Sequence, residues 1–166
     1  LYKEMLRIIK DKNPKFFVAE NVKGILSIEK GKVFEMIKSD FEKLGYEVEP
    51  RILNAAEYGV PQARERVVII GNRIGVKNPF PVKTHYIEEP KKNMLPAITT
   101  EQAIGFLSSI KTSNKSKTIK MEDIRKHIEK TGVKDVDGFF EVLGIDKDCK
   151  EITITNHIAS ENVADT

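Results

Sequence analysis

The chain has 166 residues, 40% of them hydrophobic and 32% charged, with a net charge of +3; that length allows one moderate core and a small appendage, and that charge permits a polyanionic partner without requiring one. A single cysteine, Cys149, excludes an internal disulfide and a cysteine-rich zinc site and fits a reducing cytosol. No apolar run approaches the roughly 18 residues of a membrane span and no signal-peptide pattern is present, so the expected setting is cytoplasmic, with no membrane contact.

The first predicted element is an amphipathic helix: Leu1, Met5, Leu6, Ile8 and Ile9 have near-helical spacing, and Asn13-Pro14 ends it. A chain that begins inside such a pattern reads as the interior of a longer protein. The run Phe16-Phe17-Val18-Ala19 reads as a strand, and as a central parallel strand it would be buried on both faces. Gly31 opens a helix whose Val33, Phe34, Ile37, Phe41 and Leu44 form one face, with Gly45 as the stop. EVEPRILNA and RVVIIGNR read as two further strands. Helix, strand, helix, strand, strand over residues 1–73 is the pattern of an open α/β sheet ending in a hairpin.

After Gly71 the character changes. Pro79, Pro81, Pro90 and Pro96 make residues 75–96 an extended connection rather than an element, and the natural boundary lies near residues 74–80. ITTEQAIGFLSSI predicts a short helix capped by Thr99 or Thr100. KTSNKSKTIK, residues 111–120, carries lysines without acids and predicts a mobile loop. MEDIRKHIEKTG predicts an amphipathic helix ending at Gly132, VDGFFEVLGI another short one, and EITITNH a strand. There are no internal repeats.

Glu20 and Asn21 end the first strand, and open α/β sheets bind ligands beyond the carboxyl ends of their strands. A carboxylate in such a low-dielectric crevice can share or donate a proton; the plainer alternative is a glutamate that caps the next turn. Arg64 and Arg66 have the spacing that places both side chains on one face of a strand, which suits bidentate recognition of a phosphate or a carbonyl edge. The plainer alternative here is an ion pair with Glu57 or Glu65. Ahead of them Gly59, Val60, Pro61 and Gln62 form a rigid turn that offers the Gln62 amide. The lysine run suits sequence-independent phosphate contacts, although such runs are more often simply solvated. His85, His127 and His157 share no ligand spacing with one another or with Cys149, which points away from a metal site, and Cys149 has no adjacent activating base.

Taken together, NPKFFVAENVKGIL and, about thirty residues later, LNAAEYGVPQARERVVIIG resemble the paired signature of cytosine-5 DNA methyltransferases of the bacterial restriction–modification type. Glu20-Asn21-Val22 matches that family's Glu-Asn-Val block, and Gln62-Ala63-Arg64-Glu65-Arg66 its Gln-x-Arg-x-Arg block. NPFPVKTHY, TTEQAIGFL and, more weakly, ITNHIAS are similar to later family segments. The resemblance implies an α/β fold, the second half of a Rossmann-like class I methyltransferase sheet, with strands near 15–20, 47–54 and 66–72, helices between them, and part of a smaller target-recognition region. Residues 1–78 would be the C-terminal half of the catalytic domain. Residues 79–166 would be a linker and the start of the target-recognition or DNA-binding region.

These enzymes flip a cytosine out of duplex DNA, add a cysteine thiolate to C6, and methylate C5 from S-adenosylmethionine. By resemblance Glu20 and Arg66 are the catalytic residues: Glu20 would hold N3 and the exocyclic amine and help protonate N3, and Arg66 would reach O2. Asn21, Gln62 and Arg64 would serve substrate binding, Asn21 by positioning the nucleophile loop and Arg64 by supporting the pocket or a phosphate. The family's Pro-Cys and glycine-rich cofactor loops, and its downstream Gly-Asn block, are not matched. S-adenosylmethionine is therefore expected to be bound largely by residues outside this chain, and the chain alone is expected to transfer no methyl group. The expected partners are duplex DNA and either a missing N-terminal portion or a partner subunit. The alternative is a non-catalytic DNA-binding or complementing subunit descended from such an enzyme.

Overall fold

The computed structural model describes residues 2–109 and 117–154. The chain divides into two compact units, Leu1–Ala97 and Ile98–Thr166.

In the first unit, helix α1 (Tyr2–Lys12) leads into strand β1 (Phe16–Asn21), and helix α2 (Lys32–Glu42) into β2 (Glu47–Asn54) and β3 (Glu65–Asn72). The three strands form one sheet in the order β1-β3-β2, with β3 antiparallel to both neighbours. The second and third strands thus pair as the hairpin pattern predicts. The placement of β1 differs from expectation. Among the described residues it pairs with β3 alone, and Val18 is 64% exposed. The strand buried on both faces is β3, where residues 69–72 are all buried. A four-residue apolar run cannot distinguish the two cases, because cover on the second face comes from segments distant in sequence.

One face of the sheet carries Phe17, Val48, Val67 and Ile69 into a core with Ile9 of α1 and Phe34, Ile37 and Phe41 of α2. The Phe17 ring packs on Phe41 at 4.6 Å and on Tyr46 at 5.2 Å between centroids. Gly71, opposite Phe17 in register, has to be a glycine, since a Cβ there would overlap the Phe17 ring. Tyr46 donates its hydroxyl to the Pro14 carbonyl at 2.6 Å, tying the entry of β2 to that of β1. The opposite face is covered by the chain after β3: Phe80 lies under the Arg51 guanidinium at 4.2 Å, and Asn78 is buried beside Asn72.

Residues 75–96 are mostly extended, as the prolines predict, but include the short parallel pair β4 (His85–Tyr86) and β5 (Leu95–Pro96).

In the second unit Thr99 is the cap of α3 (Thr100–Ile104), within a reciprocal capping box with Gln102. Helices α4 (Met121–Lys130) and α5 (Val136–Leu143) pack Ile124, Ile128 and Phe140 into a second core. Strand β6 (Lys117–Lys120) pairs antiparallel with β7 (Glu151–Ile154). The end of the expected loop at 111–120 is therefore a strand: Lys117 and Ile119 alternate with Thr118 and Lys120, a period of two that the lysines obscured. Residues 111–116 of that loop and the segment ITNHIAS from Thr155 onward lie outside the described residues. No helix among the described residues is long and apolar enough to cross a membrane.

Candidate active site

Glu20 stands opposite Val68 in the β1–β3 register, and Arg66 lies two residues before Val68 on the same face. Diagonal neighbours of this kind are within reach of long side chains. Arg66 Nε forms an ion pair with Glu20 Oε1 at 2.8 Å, and a terminal guanidinium nitrogen of Arg66 donates to the Glu65 carbonyl at 2.8 Å. The charge at the mouth of the buried strand is thereby satisfied from the neighbouring strand rather than by a local acid. The simple ion-pair alternatives do not form, because Glu65 pairs with Lys23 and Glu57 with Lys83.

The Glu20 side chain is 56% exposed and that of Arg66 27%. The low-dielectric crevice expected around Glu20 is therefore not built by the described residues. At that exposure the ion pair contributes at most about 1 kcal/mol to stability. What it does is hold a carboxylate and a guanidinium side by side, an acceptor edge next to a donor edge.

Asn21 accepts the Val22 N–H on its side-chain oxygen at 2.9 Å, fixing the exit of β1 into the 3-10 turn Lys23–Leu26. Arg64 does not share the strand with Arg66. It lies one residue before β3, is exposed, and its side chain makes no hydrogen bond or ion pair among the described residues. Its backbone, however, is held on both sides: its N–H donates to Asn54 Oδ1 at 3.2 Å, and its carbonyl accepts from the Ala55 N–H at 3.0 Å. Gln62 is exposed on the preceding turn, with its N–H donated to the Val60 carbonyl at 2.7 Å. Thus the fold joins Glu20 to Arg66, sets Asn21 beside them, and leaves the Gln62 and Arg64 side chains on the adjoining turn.

Two residues with no assigned role in the sequence reading hold this arm. Asn54 caps the 3-10 turn Ala55–Tyr58 through the Ala56 N–H at 3.1 Å while also accepting from Arg64. An asparagine between a strand and AAEY is itself an N-cap signal. His85, buried, sits against Gly59; no local pattern marks it. A cleft of about 440 Å³ lies beside these residues, lined by Asn54, Glu57, Glu65, Lys83 and His85 among others. Neither Glu20 nor Arg66 lines it, and Glu65 and Arg66, adjacent on a strand, face opposite sides.

Cys149 donates its thiol to the Glu151 carbonyl at 2.9 Å. No group of three or more metal-ligating side chains occurs among the described residues.

Residues 1–164 match the C-5 cytosine-specific DNA methylase family. The chain is 48% identical over 110 residues to the type II methyltransferase M.BspRI of Lysinibacillus sphaericus, covering 65% of this chain and 25% of that protein. It is 44% identical over 116 residues to the type II methyltransferase M.NgoFVII of Neisseria gonorrhoeae, covering 69% and 31%. The chain thus spans between a quarter and a third of the length of these two relatives. A solved structure, described as a DNA modification methyltransferase encoded within a prophage in E. coli, superimposes with a TM-score of 0.52 at 24% identity, over 72% of this chain and 34% of the other. That likeness establishes the fold, a partial Rossmann-like methyltransferase sheet. The chain belongs to the C-5 cytosine-specific DNA methylase family.

Proposed function

We propose that this chain is the base-holding portion of a DNA (cytosine-5-)-methyltransferase of a restriction–modification system, acting on a cytosine flipped out of duplex DNA. The observation that carries the reading is the Glu20–Arg66 pair, set by the register of β1 against β3. Cytosine presents an amine donor, a ring nitrogen and a carbonyl acceptor along one edge. A carboxylate beside a guanidinium offers the complementary sequence of groups.

In this reading Glu20 holds N3 and the exocyclic amine and shares a proton with N3 as a thiolate adds to C6. Neutralising that developing charge is an electrostatic contribution to the transition state. Arg66 reaches O2, leaving its present partner only in part, since a guanidinium carries five donors. Asn21 orders the chain after β1, and Gln62 and Arg64 approach the base or a neighbouring phosphate. Extrusion of the base costs a few kcal/mol, which these contacts offset. Residues 1–78 belong to the catalytic domain, and residues 79–166 lead into the target-recognition region.

S-adenosylmethionine supplies the methyl group in such a reaction. The described residues do not fit it: no strand-to-helix junction among them forms a glycine-rich turn able to cradle such a cofactor. Its binding, and the nucleophile, are assigned to polypeptide beyond these residues. The chain alone accordingly transfers no methyl group.

The test is methyl transfer from labelled S-adenosylmethionine to duplex DNA, with this chain alone and with the polypeptide bearing the Pro-Cys and glycine-rich loops added. Activity only in the second case supports the reading. Salt-sensitive DNA binding without any methylation in the complete protein would replace it with a binding role.

A further inference from the structure

We propose that His85 is a positioning residue for the arm Gln62–Arg66, a role that rests on the base-holding reading above. The arm leaves β2 through the turn Ala55–Tyr58 and reverses at Gly59, whose φ of 85° is left-handed. Residues 59–64 contribute to neither hydrophobic core, so apolar packing does not explain how this reversal keeps one position.

The segment Lys83–Tyr86 clasps it at three points. The Lys83 ammonium pairs with the Glu57 carboxylate. The Thr84 N–H donates to the Glu57 carbonyl at 3.0 Å. The His85 imidazole lies so close over Gly59 that a Cβ there would come within 2.8 Å of Cε1 and 3.3 Å of Nε2. The ring is itself fixed, with Nδ1 2.9 Å from Thr84 Oγ1 and only 5% of the residue exposed. Behind it β5 braces the clasp: Leu95 N–H donates to the Thr84 carbonyl at 3.0 Å, and Ala97 N–H to the Tyr86 carbonyl at 2.8 Å. The bland explanation, a histidine that merely fills space, predicts no coupling between residue 85 and the turn that leads to Arg66. The clasp predicts that coupling, since the contact is made to the reversal itself. Misplacing a substrate-holding group by about 1 Å costs on the order of 10²-fold in rate.

The test uses the complete methyltransferase containing this chain, with kcat and KM for duplex DNA measured for His85→Ala, His85→Phe, Gly59→Ala and the double variant combining Gly59→Ala with His85→Ala, alongside Arg66→Ala. His85→Ala should lower kcat by about ten- to a hundred-fold while KM changes by less than about twofold. His85→Phe, which keeps a ring over Gly59, should recover kcat to within about threefold of the parent. Gly59→Ala should also lose kcat. The double variant should lose less than the product of the two single losses, because without the imidazole the new Cβ meets only backbone strain. Equal losses in His85→Ala and His85→Phe, or multiplicative losses in the double variant, overturn the proposal. Should His85→Ala not fold, Gly59→Ala decides: parental kcat there overturns it. An Arg66→Ala enzyme with full kcat would instead dispose of the base-holding reading, whatever His85 does.

Discussion

Arg66 Nε meets Glu20 Oε1 at 2.8 Å across two strands whose partners were never adjacent in sequence. The contact exists because β3 runs antiparallel to β1 and places Val68 opposite Glu20, so Arg66 falls on the diagonal. A slip of one residue would send Arg66 to the other face. The pair therefore reports the register of β1 against β3.

Replacing Glu20 by Gln keeps the shape but removes the charge and the ability to share a proton. In the complete enzyme kcat should fall by about 10²- to 10³-fold, whereas DNA affinity should change by less than about fivefold, the equivalent of ~1 kcal/mol for an exposed pair. Steady-state kinetics beside a binding titration separate the two, and equal losses would remove Glu20 from the chemistry.

Gly71→Ala places a methyl group where the Phe17 ring lies, in a site bounded by Phe41 and Tyr46. Overpacking of this kind destabilises by about 1–3 kcal/mol, read as a lower urea midpoint. Phe17→Leu in the same background should restore part of it. An unchanged midpoint for Gly71→Ala would mean that the ring does not pack on β3 as described.

Asn54 accepts from both the Ala56 and Arg64 N–H groups. Asn54→Ala should cost about 0.5–2 kcal/mol, and amide exchange should quicken at Ala56 and Arg64 before it does at Val67. Asn54→Asp retains an acceptor and should keep most of the stability. Unaltered exchange at Arg64 in the alanine variant would show that the side chain does not bridge the two segments.

Burial pushes the His85 pKa below the ordinary histidine value. The unfolded chain then takes up a proton first, near pH 6.5, while the folded imidazole stays neutral. The stability held above pH 6.5 is progressively lost as pH falls towards the lowered folded value. Melting temperature should drop between pH 7.5 and 5.5, and His85→Phe should flatten that dependence. Parallel profiles for the two proteins would mean that His85 is hydrated in the folded state.

Much of the local structure was legible before any fold was known. The helix over residues 2–12, the face Phe34, Ile37 and Phe41, the three strands and the Thr99 cap all follow from periodicity and capping, which depend on near neighbours in the chain. Glu20 and Arg66 could be singled out because their blocks resemble a family signature. Their meeting could not be read, since an ion pair between residues 46 apart in the numbering depends on register and on which strand lies in the middle.

By itself, then, the sequence determined the helices α1 to α5, the strands β1, β2, β3 and β7, the α/β class and the residue types of the candidate site, because backbone propensity and apolar spacing act over a few residues. Only the tertiary structure decided that β3 rather than β1 is covered on both faces, that Arg64 stays outside the strand, and that Lys117–Lys120 pairs with Glu151–Ile154. It alone brought His85 onto Gly59. Each of these rests on burial and hydrogen bonds between segments far apart in the chain, where no short-range pattern carries the information.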